Sequence, residues 1–237
     1  KKINFYVEKK AGSYIARNKG LKISKGEYIY LIDSDVKITQ NSICHLKNIV
    51  FNDLNKNIII AGRISIQKPL KITLPYMYET IFEFDQIRSV NNGSAPTANL
   101  LINKSLINKF GYFNTNKFSG SDKEWVSNCV ENGVVLQYED ELEVIHPSRA
   151  SFKEITYKYR RTYGGWFKKY KCGKGRFFRN FIFLIWNFRI PIRSIKRIYT
   201  SDRSLKVKIG ALFVLIIIRM ARLHEHLALS FGRGPKR

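Results

Sequence analysis

Cysteine is scarce in this chain, with three residues in 237, at Cys44, Cys129 and Cys172. They are odd in number, far apart and in no CxxC pair, which excludes a disulfide framework and a zinc site of the usual spacing. Reduced thiols packed as small hydrophobes, in a cytoplasmic setting, are the expectation. Long apolar runs are also missing. The run Ile209–Ile218 covers ten residues, whereas a spanning helix needs roughly 20. There is no internal repeat or low-complexity tract, and the opening Lys1-Lys2-Ile3 carries no signal-peptide pattern. Acid is nearly missing from the last third: residues 151–237 hold 3 Asp/Glu against 22 Lys/Arg, while residues 1–150 hold 15 against 20. A shift that sharp marks a boundary near Ser151. It predicts a domain over 1–150 and a basic region over 151–237 that meets an anionic partner, whether lipid surface, nucleic acid or phosphorylated substrate.

What is present reads as a globular α/β chain, 44% hydrophobic. Strands are predicted at Ile3–Val7, Tyr28–Ile32, Ile58–Ile64, Thr97–Ile102, Val134–Tyr138 and Glu143–Ile145. Helices are predicted at Ser13–Ile23 with Ser13 as a possible cap, Asn41–Asn52 capped by Thr39 or Asn41, Tyr76–Arg88, Ser105–Phe110 ended by Gly111, and Asp122–Glu131. Strands alternating with helices imply a sheet flanked by helices, and the nearly continuous apolar run of Tyr28–Ile32 suits a buried parallel strand. After Ser151 the pattern turns helical: Ser151–Tyr170, a segment Arg176–Tyr199 broken by Pro191, and Leu205–Leu229. Lys206, Lys208, Arg219 and Arg222 flank the Ile209–Ile218 run, which reads as a helix lying in a membrane interface. An ordinary helical core and a short spanning helix are the alternatives.

The chemistry concentrates where the strand Tyr28–Ile32 runs into Asp33-Ser34-Asp35. Alternate residues of a strand share a face, so Asp33 and Asp35 can point the same way. Two close carboxylates repel unless a cation sits between them, and Mg²⁺ or Mn²⁺ would suit such oxygen ligands and a substrate phosphate. An Asp-rich turn with no metal is the plainer alternative.

The surroundings of this turn resemble glycosyltransferase family 2. Gly12-Ser13-Tyr14-Ile15-Ala16-Arg17-Asn18-Lys19-Gly20, then Gly26-Glu27-Tyr28 and Asp33-Ser34-Asp35, resemble its ARN and DxD block. Phe110-Gly111-Tyr112-Phe113-Asn114 resembles its glycine turn, Ser119-Gly120-Ser121-Asp122-Lys123-Glu124-Trp125 its acidic motif, and Val144-Ile145-His146-Pro147-Ser148-Arg149 its closing HP motif. The resemblance implies a GT-A type, Rossmann-like, mostly parallel sheet whose first strands are absent, so that the chain is truncated at its N-terminus and carries a basic helical tail. It implies a nucleotide-sugar donor, a glycan or lipid-linked acceptor, and Mg²⁺ or Mn²⁺.

By the same resemblance Asp35 is a direct metal ligand with Asp33 beside it, and His146 joins the metal or diphosphate. Asp122 is the catalytic base of an inverting transfer. Arg17, Asn18, Asp33 and Ser34 meet the donor, and Asn99, Ser121 and Trp125 meet the acceptor. Lys158, Arg160, Arg161 and Trp166 loosely resemble the basic-aromatic segment that follows the His. The chain departs from the pattern at Ser121, where the family carries Glu, and at Asn128, where it often carries Arg. The localisation implied is the cytoplasmic face of a membrane, on an anionic lipid surface. Two other readings compete: a non-catalytic remnant, and a nucleic-acid binder built on Tyr157, Tyr159, Phe177 and Phe178. The apolar run argues against nucleic acid, which has no use for it.

Overall fold

A computed structural model describes residues 4–52, 56–117, 119–170, 181–183, 185 and 189–234. Ile3, Cys172, Phe177 and Phe178 lie outside the described residues, as do most of the segment 171–188 and the side chain of Trp166. In chain order the elements are α1 (Ser13–Ile23), β1 (Tyr28–Ile32), β2 (Lys37–Ile38), α2 (Gln40–Phe51), β3 (Ile58–Ile66), α3 (Leu74–Phe82) and α4 (Gln86–Asn91). Then come β4 (Asn99–Asn103), α5 (Lys104–Phe110), α6 (Ser121–Glu131), β5 (Val135–His146), α7 (Phe152–Tyr170), α8 (Ile192–Thr200) and α9 (Leu205–Ser230). They form two compact units, one of residues 1–65 and 84–146, the other of 66–83 and 147–237. The division differs from the one expected at residue 150, because α3 buries Tyr78 and Ile81 among the C-terminal helices rather than on the sheet.

The first unit is a five-stranded sheet in the order β1-β4-β3-β5-β2. β4 is buried throughout, with Leu100 and Ile102 on one face in the main core with Ile59, Ala61, Trp125 and Val126, and Leu101 on the other with Ile60 and Leu142. The expectation of a mostly parallel sheet is corrected. β1 and β3 both run antiparallel to β4, and β2 runs antiparallel to β5, while β3 and β5 advance in the same direction, Asn57 meeting Val135 and Ser65 meeting Glu143, so the sheet is mixed. A strand covered on both faces reads as a continuous apolar run in either direction, so hydropathy carries no sign for the ladder.

Other differences have local causes. Ile3–Val7 was expected as a strand, yet residues 4–7 form none and Phe5, Tyr6 and Val7 are exposed, because a strand exists only through its ladder and none pairs here. Ser13 lies inside α1, and Gly12 occupies the cap. Thr39 does cap α2, its Oγ1 accepting from Ser42 N at 3.1 Å. The single helix expected over Tyr76–Arg88 breaks at Glu83–Phe84, where Phe84 takes a left-handed φ of 51°. Its ring joins Ile64, Ala98 and Val144 in a small core. The two strands expected between Val134 and Ile145 are one, β5. Cys129 is buried, and burial pushes its thiol up to about 12, while Cys44 is exposed rather than packed inside.

Asn99 crosses the sheet as a polar bolt. Its Nδ2 donates to Arg63 O at 2.8 Å and Leu142 O at 2.7 Å, and its Oδ1 accepts from Tyr30 Oη at 2.8 Å. Burial pushes the Tyr30 phenol up to about 12. The chain can pass this close only at Gly62, where a Cβ would meet Leu142 O at 2.2 Å and Asn99 Nδ2 at 2.5 Å. Asn99→Leu is expected to lower stability in urea by about 3 kcal/mol, since it strands two carbonyls and a hydroxyl inside the sheet. Gly62→Ala is expected to lower it further.

The second unit packs α3, α7, α8 and α9 around Ile155, Ile198, Val214 and Ile218. Three buried carboxylates are each met by a cation: Glu79 by Arg149, Glu83 by Lys158, and Glu225 by Arg160 and Arg233. Burial alone pushes the Glu83 carboxyl up. The Lys158 ammonium and the Tyr159 hydroxyl outweigh it and hold the carboxyl below its usual range. A carboxyl depressed on folding contributes stability above its unfolded pKa of about 4.3 and loses it as pH falls through the folded value. Melting temperature is therefore expected to drop on acidification below that point, and Glu83→Gln is expected to flatten the drop in circular-dichroism melts.

Candidate active site

β1 delivers its chain end at Ile32, which lies opposite Asn99 at the start of β4. The chain turns over Asp33–Asp35, closed by Val36 N donating to Asp33 O at 3.4 Å, and enters β2. There Lys37 faces Ile145 and Ile38 faces Val144. Continuing that ladder by one residue sets His146 across from Val36, beside Asp35. Carboxylate oxygens of Asp33 and Asp35 and a ring nitrogen of His146 consequently lie within 4.8 Å of one another. His146 Nε2 is 3.7 Å from Asp35 Oδ2, with His146 buried and Asp35 half exposed. The Phe84 ring, 4.4 Å from that of His146 between centroids, backs the imidazole.

Donor chemistry here fits a divalent cation. Two carboxylates and one imidazole suit Mn²⁺ and are compatible with Mg²⁺. The three ligand atoms, all within 4.8 Å of one another, are near enough together that one ion would be held by Asp33, Asp35 and His146 at once. Asp33 already carries an ion pair with Arg17 Nη2 at 2.6 Å. Asp35 keeps the more open carboxylate.

Helix α1 joins this turn to a second carboxylate. Tyr14, one helical turn before Arg17, donates its hydroxyl to Asp122 Oδ1 at 2.9 Å. Thr97 donates to Asp122 Oδ2 from its backbone N at 3.1 Å and its Oγ1 at 3.2 Å. Asp122 sits in the first turn of α6, entered through Gly120 at φ 78°. Thr97 leads into β4 at the sheet end where β1 leaves, so Asp33 and Asp122 share that end and are tied to one helix. Burial and the neighbouring Asp122 charge push the Tyr14 phenol well above its ordinary range.

The remaining expected residues scatter. Ser34 is exposed in the turn. Asn18 uses its amide on Phe113, donating to O at 2.8 Å and accepting from N at 3.1 Å, so it clamps the loop after α5. Asn99 was expected at the acceptor. The structure corrects this: it is fully buried and its side-chain amide is engaged inside the sheet. Ser121 is buried, with no hydrogen-bond partner for its Oγ among the described residues. Trp125 is buried and donates its Nε1 to Gly111 O at 2.8 Å. Ser121 and Trp125 line a cleft of about 380 Å³ with Tyr112, Asn114, Glu124 and Asn128. Lys158 and Arg160 meet Glu83 and Glu225 within the second unit. Tyr14, Thr97 and Phe84 were not anticipated. Only Tyr14 left a trace in the sequence, as the residue three before Arg17 on one helix face.

Residues 1–110 match the family model described as glycosyl transferase family 2. A curated relative, the glycosyltransferase AglE of Haloferax volcanii, is 23% identical over 171 residues, 71% of this chain and 52% of the relative. The chain thus spans about half the length of that protein. Among solved structures, the mannosyltransferase PcManGT of Pyrobaculum calidifontis, in complex with GDP-Man and Mn²⁺, superposes with a TM-score of 0.51 at 14% identity, over 92% of this chain and 67% of that one. TarS of S. aureus, in complex with UDP-GlcNAc, superposes with a TM-score of 0.43 at 12% identity, over 94% and 73%. PcManGT bears on the fold alone, which is of the GT-A type.

Mn²⁺ titration followed by electron paramagnetic resonance is expected to show binding that Asp35→Asn weakens by roughly tenfold or more and His146→Ala by a similar factor. Ser34→Ala is expected to leave it unchanged.

Proposed function

We propose that this chain, whose residues 1–110 match the family 2 glycosyltransferase model, is a glycosyltransferase that moves a sugar from a nucleotide-sugar donor to an acceptor hydroxyl with inversion at the anomeric carbon. The observation that carries the reading is the convergence of Asp33, Asp35 and His146 at the end of a buried strand. Sugar transfer breaks the bond between the anomeric carbon and a diphosphate oxygen and forms one to the acceptor oxygen. Negative charge grows on the leaving diphosphate. A divalent cation bound by Asp35, Asp33 and His146 supplies neutralisation of that charge. Arg17 compensates Asp33, so the turn tolerates both carboxylates before donor arrives.

The acceptor hydroxyl must lose its proton as it attacks. Asp122 is assigned as the base. A carboxylate offers about four lone-pair positions. Tyr14 takes one on Oδ1, and the two Thr97 donors bind Oδ2. The second position on Oδ1 remains to accept the proton. Tyr14 and Thr97 thereby fix the carboxylate and leave that position open for the acceptor's proton. The leaving group is the nucleoside diphosphate, and the acceptor is a glycan or lipid-linked sugar hydroxyl.

Release of nucleoside diphosphate from nucleotide sugars with Mn²⁺ is the test, with and without acceptor glycans. Asp122→Asn is expected to lower kcat about 10³-fold while donor binding, read by calorimetry, is kept. Full activity in Asp122→Asn removes the base assignment. No heat with any common nucleoside diphosphate and Mn²⁺ favours a non-catalytic remnant instead.

A further inference from the structure

Helix α9 is apolar on two opposite faces. Ala211, Val214, Leu215 and Ile218 are buried within the second unit. Leu205, Ile209, Leu212, Phe213, Ile216 and Met220 are between 41 and 73% exposed. At 100° per residue these six fall within an arc of roughly 100°, opposite the buried set. They form a continuous stripe about 24 Å long. A soluble monomer rarely leaves a contiguous patch of that kind in water.

The charge around the stripe is predominantly positive. Described residues 189–234 hold ten Lys/Arg and two Asp/Glu. One of the two acids, Glu225, is buried and met by Arg160 and Arg233. Lys206 lies beside the stripe and is exposed, and Lys208 and Arg219 border it. No helix among the described residues is long and apolar enough to cross a membrane.

We propose that the exposed stripe of α9 docks on the surface of an anionic lipid bilayer, with the helix lying in the plane of the interface. Apolar side chains enter the headgroup boundary, and the lysines and arginines beside them meet lipid phosphates. A second copy of the chain suits the face less well, since each copy carries a formal charge of +24 and the basic borders would be brought together. The inference stands on the second unit's surface and does not rest on the sugar-transfer reading.

Vesicle flotation of the full chain tests it. Binding is expected to phosphatidylglycerol-containing vesicles, to weaken with added salt, and to be slight on pure phosphatidylcholine. The double variant Ile209→Ser, Ile216→Ser removes two solvent-facing side chains and is expected to keep its circular-dichroism spectrum while losing roughly tenfold or more of the bound fraction. Protein that stays in the aqueous fraction with every vesicle overturns the proposal. So does equal binding by the variant, or by phosphatidylcholine alone. Concentration-dependent dimerisation in sedimentation velocity, abolished by the same variant and without vesicle binding, would assign the stripe to a second copy instead.

Discussion

Mutual repulsion between two carboxylates held one residue apart at a strand end is the constraint on which this site is built. The protein answers it from three directions. Arg17 on α1 pairs with Asp33. The β2–β5 ladder brings His146 to Asp35. The turn keeps the Asp35 carboxylate half exposed, open to a cation. Because Tyr14 sits one turn from Arg17, the helix that quiets the first carboxylate also fixes Asp122. The two halves of the proposed chemistry are thereby held by one rigid element, which is how positional precision is obtained without long loops.

The sheet beneath is held by an uncommon polar contact. Asn99 joins β4 to β3, β5 and β1 through its side chain, and the glycine at 62 lets the strands close on it. A buried amide with its partners in place is worth keeping because removing it leaves several buried groups without partners. This explains why an asparagine sits at the entrance of a strand whose middle, Leu100 to Ile102, is apolar. Its position invites a binding role from the sequence, yet its chemistry is structural.

Much of the architecture was legible in the pattern of the chain. Tyr28–Ile32, Thr39 as a cap, α5 ending at Gly111 and α6 beginning with acid appear where hydropathy and capping rules put them. Asp33 and Asp35 were singled out by strand alternation and His146 by its motif, and the three converge. The misses share one cause. Phe84 breaks a helix that its local sequence supports, because its ring is drawn into a core beside His146. Asn18 and Asn99 are polar residues in motif positions, and their amides are engaged by groups remote in sequence. Residues 4–7 have strand-like alternation but no ladder partner.

Periodicity, caps and charge segregation are local properties, so the sequence by itself determined which segments become helix or strand, where the acids cluster, and that the last third is basic. Tertiary structure decided the direction of each strand, which face of α9 is covered, and which distant donors reach Asp122. Those outcomes depend on how apolar faces pair across the chain, and an apolar face is the same signal whatever it packs against.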